Sequence, residues 1–355
     1  MNLVKLYGKH YSKREVLQHV GDVSQLAGAV PMVLNSGKAR GVHAVDVKTG
    51  TGLRFTILPD RAMDIAWADY QGKAIAFISK NGIVGPAYAQ ENGNVGFLDS
   101  FYGGLLTTCG LSHTGAAQED AGDSLGLHGR IGGIPADDVC VTNDWVGDEY
   151  IIRIRGKVRQ TRFFKENLVL TREITTSMGA NSFHIRDTVE NCGFEAEPLL
   201  QLYHFNFGFP LVSEHTVLHT SPTEVKPRTP EATAGLAEYR KFLPPTHRFF
   251  EHVFYHQIQG KTNGDAYACL FNPTLGAQGM GAYVKFNVQQ LPLLVQWKQM
   301  GEGDYAVGLE PANHIVEGRA AAREAGTLPF IAPGEIRTFD FEIGIIESEY
   351  EINQI

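Results

Sequence analysis

Three short segments concentrate the residue types that move protons between oxygen atoms. Leu125-Gly126-Leu127-His128-Gly129-Arg130-Ile131-Gly132-Gly133 sets a histidine between glycines, with Arg130 two residues on. Leu200-Gln201-Leu202-Tyr203-His204-Phe205-Asn206-Phe207-Gly208 carries His204 and Asn206, and Tyr305-Ala306-Val307-Gly308-Leu309-Glu310-Pro311-Ala312-Asn313-His314 carries Glu310 and Asn313. Flanking glycines let backbone approach a ligand closely, and a guanidinium offers a fixed donor fork. If the second segment is a strand, Leu200, Leu202, His204 and Asn206 share one face, while Tyr203, Phe205 and Phe207 share the other. A His and an Asn at the end of an apolar face must be hydrogen-bonded or meet a ligand. Glu310 ends an apolar run before Pro311, which is expected to stop the ladder, so it is either paired with a cation or poised as a general base. Each segment alone also reads as a Gly-rich hairpin, a satisfied core histidine or a paired carboxylate. Together they supply acid–base groups and donors for a hydroxyl-rich substrate, with no metal required.

The elements that must position these residues are strands. Tyr150, Ile152, Ile154 and Val158 alternate with Arg153, Arg155, Lys157 and Arg159, a two-residue period that no helix produces. Phe183, Ile185 and Val189 alternate with His184, Arg186, Thr188 and Glu190, and Phe339, Phe341 and Ile343 with Thr338, Asp340 and Glu342. The pattern predicts an all-β fold, a large antiparallel β-sandwich with a few short helices. Lys13 to Val20 and Glu231 to Lys241 are the helical candidates. Ser221 to Pro245, with five prolines, reads as a long surface loop. No βαβ alternation or GxGxxG turn follows a strand, so a dinucleotide fold is excluded. The simplest organisation is an extension over residues 1–40 packed on one β domain over 41–355.

Composition narrows the class further. The 355 residues are 43% hydrophobic and 20% charged, with a formal net charge of −8 and no basic block, which argues against a nucleic-acid partner. The four cysteines, Cys109, Cys140, Cys192 and Cys269, form no CxxC pair and read as reduced, buried thiols. The N-terminal residues lack the pattern of a signal peptide, and no apolar stretch is long enough to cross a bilayer. A cytoplasmic protein is expected. Among 13 histidines there is no HxH or HExxH spacing, so neither a metal nor another cofactor is expected.

The ordered set resembles the aldose 1-epimerase (galactose mutarotase) family: a His-Gly segment, His-x-Asn-Phe 76 residues on, and Gly-Leu-Glu 106 residues further. It is most similar to an uncharacterised, epimerase-like bacterial branch, through Leu58-Pro59-Asp60-Arg61-Ala62-Met63-Asp64-Ile65, Tyr102 to Gly110, Asp187-Thr188-Val189-Glu190-Asn191 and Leu328 to Glu335. The resemblance runs from about residue 40 to the C-terminus. It implies the galactose mutarotase-like supersandwich, with Glu310 as general base, His204 as general acid and His128 binding the sugar. The family's acidic residue that holds sugar hydroxyls matches Glu251, in Glu251-His252-Val253-Phe254-Tyr255, although Asp is the more usual residue there. True mutarotases carry an arginine in Asn-Arg-Ile before the first His. This chain has Gly103 to Gly110 there, which leaves Arg61 or Arg130 to take the donor role.

The implied reaction is interconversion of aldose anomers, with Glu310 taking the O1 proton and His204 giving one to the ring oxygen. Asn206 and Asn313 complete the candidate substrate-binding set, and Trp297, Tyr203, Phe207 and Tyr255 are candidates to stack on a pyranose. The substrate is expected to be a small neutral aldose, with a sugar phosphate as the alternative should Arg130 meet a phosphate. Two other readings stay open: a carbohydrate-binding protein without catalysis, and an epimerase or lyase acting at another carbon.

Overall fold

The computed structural model describes residues 3–355 and is built on two large antiparallel sheets. One has eight strands: Ala136–Val146, Glu149–Thr161, Asn167–Ser177, Ser182–Asn191, Ile336–Ile346, Met280–Asn287, Asp265–Asn272 and Val217–Thr220, in that spatial order. The other has eleven. Its central run is His252–Ile258, Leu293–Gly301, Asp304–Ala312, Leu202–Gly208, Leu106–Cys109 and Asp64–Tyr70. The expected all-β sandwich is what the chain forms.

Alternation sorts the side chains as their types demand. In Glu149–Thr161 and Ser182–Asn191 the apolar positions are buried, while Arg153, Arg155, Arg159, His184 and Arg186 point to solvent. The main core lies between the sheets. Tyr203 and Phe205 of the larger sheet pack against Phe341 of the smaller, and Phe207 belongs to the same core. Each large side chain buried there contributes on the order of 1.5–3 kcal/mol. The opposite face of the same strand carries Leu202, His204 and Asn206, so the histidine sits on the larger sheet's outer face.

A polar network crosses the core. Arg172 is fully buried and donates to both carboxylate oxygens of Asp187, to Asp64 and to Thr108. Thr108 donates its amide and hydroxyl to Asp64, and the Tyr203 hydroxyl donates to Asp187. Every charge in this cluster has a partner, as burial requires. The network ties the two sheets together directly behind His204.

Three local expectations change. Ser221 to Pro245 is not one long loop. It begins with the edge strand Pro222–Pro227, where prolines are tolerated, and continues into a short helix, Pro230–Ala234. The candidate helix Glu231 to Lys241 breaks at Gly235, after which only a 3₁₀ turn, Leu236–Glu238, follows. Pro311 does not end its strand. Asp304–Ala312 continues through it, pairing Leu294 with Pro311 and Leu293 with Ala312.

Near the N-terminus, Lys13–His19 is helical, started by a reciprocal Ser12–Glu15 capping box. Val4, Leu6 and Val16 reach the main core, and Gly28–Val33 joins the larger sheet beside His43–Lys48. The first 40 residues thus supply both a packed appendage and a sheet strand. All four cysteines are free; Cys109 and Cys269 are buried, but Cys140 is exposed and Cys192 half-buried, contrary to the uniform burial expected. No helix among the described residues is long and apolar enough to cross a membrane.

Candidate functional site

Strand register brings the two central groups together. Leu202 pairs with Ala312 and Phe205 with Leu309, a register that sets His204 opposite Glu310 and Tyr203 opposite Pro311. Pro311 lacks an N–H, and no pairing is formed at those two positions. His204 Nε2 and Glu310 Oε1 are 3.1 Å apart, with both residues buried. Glu310 Oε1 and His204 Nδ1 have no hydrogen-bond partner among the described residues. A buried carboxylate oxygen left unsatisfied is costly unless a ligand meets it.

Gly308 makes the placement of Glu310 feasible. A Cβ at that position would clash with Glu310 Oε1 and lie 3.0 Å from Trp297 Cβ and 3.2 Å from His204 Cε1. Only glycine leaves the carboxylate room to fold back over the strand.

The pair opens into a cavity of about 620 Å³ on the outer face of the larger sheet. His128, Glu251, Trp297 and Arg228 line it as well. Trp297 faces His204 edge-on at 5.5 Å and donates its indole N–H to Glu251 Oε2 at 2.7 Å. Phe101 packs on His204 at the same 5.5 Å and meets the Trp297 ring edge-on at 6.5 Å, so the three rings form one aromatic cluster. The site therefore combines aromatic walls with a few convergent polar groups, the usual make-up of a small-molecule pocket.

His128 reaches the cavity from a loop rather than a hairpin. The segment after Leu125 turns through His128 at φ +59 into the 3₁₀ turn Ile131–Gly133. At Gly129, a Cβ would collide with Gly110 O and approach His113 O to 2.6 Å, so this crossing of two backbones needs glycine. The amide of Gly115 donates to His128 Nδ1 at 3.4 Å, which assigns the imidazole proton to Nε2. His128 is thus a neutral donor, and burial, reinforced by His204, holds its pKa well below the usual histidine range.

Burial sets the protonation of the central pair too. It pushes the Glu310 carboxyl well above the ordinary carboxylate range, with nearby Glu251 adding to the rise and Arg228 opposing it. It holds His204 down at about 4. A neighbouring carboxylate is thus not enough to keep His204 protonated on its own account. Burial thus disfavours the charged form of both groups.

The expected site residues divide evenly. His204, Glu310, His128 and Glu251 meet around one cavity. Arg61, Arg130, Asn206 and Asn313 lie outside it. Arg61 donates to the backbone carbonyls of Gly132 and Val84 and is buried against the Tyr102 ring. Arg130 bridges Glu166 and Thr161 O at 2.7 Å each and stands 3.3 Å from Glu91. Asn206 donates to Gly104 O and His204 O, and Asn313 clips Gln201 N–H and Leu199 O. These four position loops and strand ends. Of the stacking candidates, Trp297 lines the cavity, while Tyr203 and Phe207 belong to the main core and Tyr255 donates its hydroxyl to Glu317.

The arginine that does face the cavity is Arg228, which sequence reasoning missed. It follows the edge strand Pro222–Pro227 and is half-buried, donating to Glu317 Oε1 at 2.9 Å. Glu317 is fixed in turn by Tyr255 at 2.6 Å. The only signal in the sequence is an arginine between two prolines, Pro227-Arg228-Thr229-Pro230, in a stretch too stiff for a mobile loop.

Among the described residues no cluster of His, Cys, Asp and Glu could hold a metal ion. The model of a family described as a domain of unknown function, DUF4432, matches residues 39–345. The chain belongs to that family. For this DUF4432 chain a search of curated proteins finds no match. A Klebsiella pneumoniae structure described as a "putative aldose 1-epimerase" superposes with a TM-score of 0.86 at 27% identity, over 92% of this chain and 85% of that one. A galactose mutarotase-like protein of Clostridium acetobutylicum has a TM-score of 0.62 at 14% identity, over 91% of this chain and 99% of that one. Galactose 1-epimerase of Lactobacillus acidophilus has a TM-score of 0.58 at 13% identity, over 91% and 100%. The fold of this DUF4432 chain is the galactose mutarotase-like sandwich.

Proposed function

We propose that the protein is an isomerase of the aldose 1-epimerase type, interconverting the anomers of a neutral aldose. The observation that carries this reading is the His204–Glu310 pair, two buried acid–base groups 3.1 Å apart with an unsatisfied carboxylate oxygen, in a cavity large enough for a sugar.

Opening a cyclic hemiacetal requires removal of the O1 proton and protonation of the ring oxygen. Glu310 takes the first proton and His204 supplies the second, from the form of the pair in which the proton rests on imidazole. The form with the proton on carboxyl carries the same number of protons, so substrate binding need only move one proton between neighbours. A bound O1–H donating to Glu310, and a ring oxygen accepting from His204, favour the ionic form. Rotation about C1–C2 and reversal of both transfers then give the other anomer. Each positioned transfer contributes about 10²–10⁴-fold.

The remaining groups hold the sugar. Trp297 offers a flat apolar wall, Glu251 an acceptor fixed by the Trp297 indole, and His128 and Arg228 donors. The carboxylates of Glu251 and Glu317 beside Arg228 leave the site without a free positive charge for a phosphate, which favours a neutral sugar. Four free cysteines suit a cytoplasmic setting.

Time-resolved polarimetry on freshly dissolved α-anomers of glucose, galactose and related aldoses tests the proposal. Catalysed approach to equilibrium rotation, first order in enzyme, is the expected result. Uncatalysed rates with every sugar, together with measurable sugar binding, would favour a non-catalytic binder.

A further inference from the structure

The cavity is longer than one sugar ring. Its floor follows Asp304–Ala312 and the neighbouring Leu293–Gly301 strand, and it is lined from Val295 and Glu310 at one end to Gln299 and Asp304 at the other. Glu310 and Asp304 are six residues apart on one strand, roughly 20 Å at about 3.3 Å per residue. Between them the positions on the same face are Gly308 and Ala306, small enough to leave a trough. A single pyranose seated on the His204–Glu310 pair covers only the near part of this run.

The far part is built like a second sugar site. Phe77 lies over the sheet at the level of Ala306: its backbone packs on Gly208, which pairs with Ala306. Phe77 and the exposed Leu98 give this end an apolar wall. Polar groups line the same end. Lys80 Nζ meets Asp304 Oδ2 at 2.7 Å. Gln299 Oε1 accepts from Gly301 N–H, which keeps its Nε2 as a donor. Asn81 donates to Leu98 O and Phe101 O, which keeps its Oδ1 as an acceptor. Apolar surface together with paired charges and amides matches the two kinds of surface a pyranose presents.

We propose that this end is a subsite for a second sugar unit, so that the preferred substrate is a neutral oligosaccharide with a free reducing end. The reducing-end aldose sits at His204 and Glu310, and the unit linked to it lies along Phe77, Gln299 and Asp304. The inference rests on the isomerase reading for the near end of the cavity.

The test compares kcat/KM for anomer exchange of lactose, cellobiose, maltose and melibiose with that of glucose, in the full chain and in Gln299→Ala and Asp304→Ala. At least one disaccharide is expected to exceed glucose by about tenfold or more, as a few added hydrogen bonds would give. Each substitution is expected to shrink that advantage and leave the glucose value unchanged. Equal values for glucose and all four disaccharides would overturn the subsite while leaving the isomerase reading intact. If no sugar is turned over, the isomerase reading fails, and calorimetric titration decides the subsite. Tighter binding of a disaccharide than of glucose, weakened by Asp304→Ala, would support it; equal or absent binding would overturn it.

Discussion

Glu310 Oε1 lies 3.1 Å from His204 Nε2 across adjacent strands, yet the two are not aligned as a hydrogen bond. A simple structural ion pair buried this deeply is expected to close that bond, because an unsatisfied group costs about 1–3 kcal/mol. Here both groups instead face the cavity, where one hydroxyl could engage them together.

The pH dependence of kcat/KM follows from how burial shifts the two groups. Below about 4, His204 gains a second proton and the pair can no longer accept one. At high pH the Glu310 carboxyl, raised by burial, loses its proton and the pair has none to give. The expected profile is flat through neutrality, with an acid limb near 4 and an alkaline limb well above the carboxylate range. An acid limb in the ordinary histidine range would contradict the assignment.

Gly308→Ala forces the Glu310 carboxylate away from His204. Misplacing a catalytic group by about 1 Å costs on the order of 10²-fold in rate. The variant is expected to lose about that much in kcat with little change in KM, measured by polarimetry. An unchanged kcat would show that the position of Glu310 does not matter.

Arg228→Met removes a charged donor from the cavity wall while keeping the length of the side chain. A hydrogen bond from a charged group is worth about 1.5–3 kcal/mol, so sugar affinity is expected to fall about 10- to 100-fold. Titration calorimetry measures this directly. Glu317→Gln, which loosens Arg228 without removing it, is expected to have a smaller effect in the same direction.

Much of this arrangement was legible in the sequence. Two-residue alternation sorted Tyr203 and Phe205 from His204, because strands present successive side chains to opposite faces whatever lies beyond them. Glu310 reaches the cavity from its strand, and Glu251 from the residue just before the strand His252–Ile258. Arg61 and Arg130 were legible as guanidiniums but not as to what they bind. Their partners are backbone carbonyls and Glu166, whose positions depend on loop paths that no local pattern encodes. Arg228 was hidden for the opposite reason: a proline-rich stretch reads as loop, but it is the edge of the larger sheet that overhangs the cavity.

The network behind His204 separates stability from catalysis. Arg172→Met strands Asp64 and Asp187 in the core without their cation. Loss of one partner from a buried charge cluster costs about 3–5 kcal/mol, which chemical denaturation should report. A loss below about 1 kcal/mol would mean that the cluster is not holding the sheets together.

The central claim is that Glu310 exchanges a proton with the anomeric hydroxyl rather than merely holding a sugar. Anomer exchange followed by NMR, with sugar affinity measured in parallel on wild type and Glu310→Gln, tests it most directly. The account expects the catalysed rate to fall by at least about 10²-fold while affinity changes by less than about tenfold. A variant that keeps its rate and loses only affinity would contradict it.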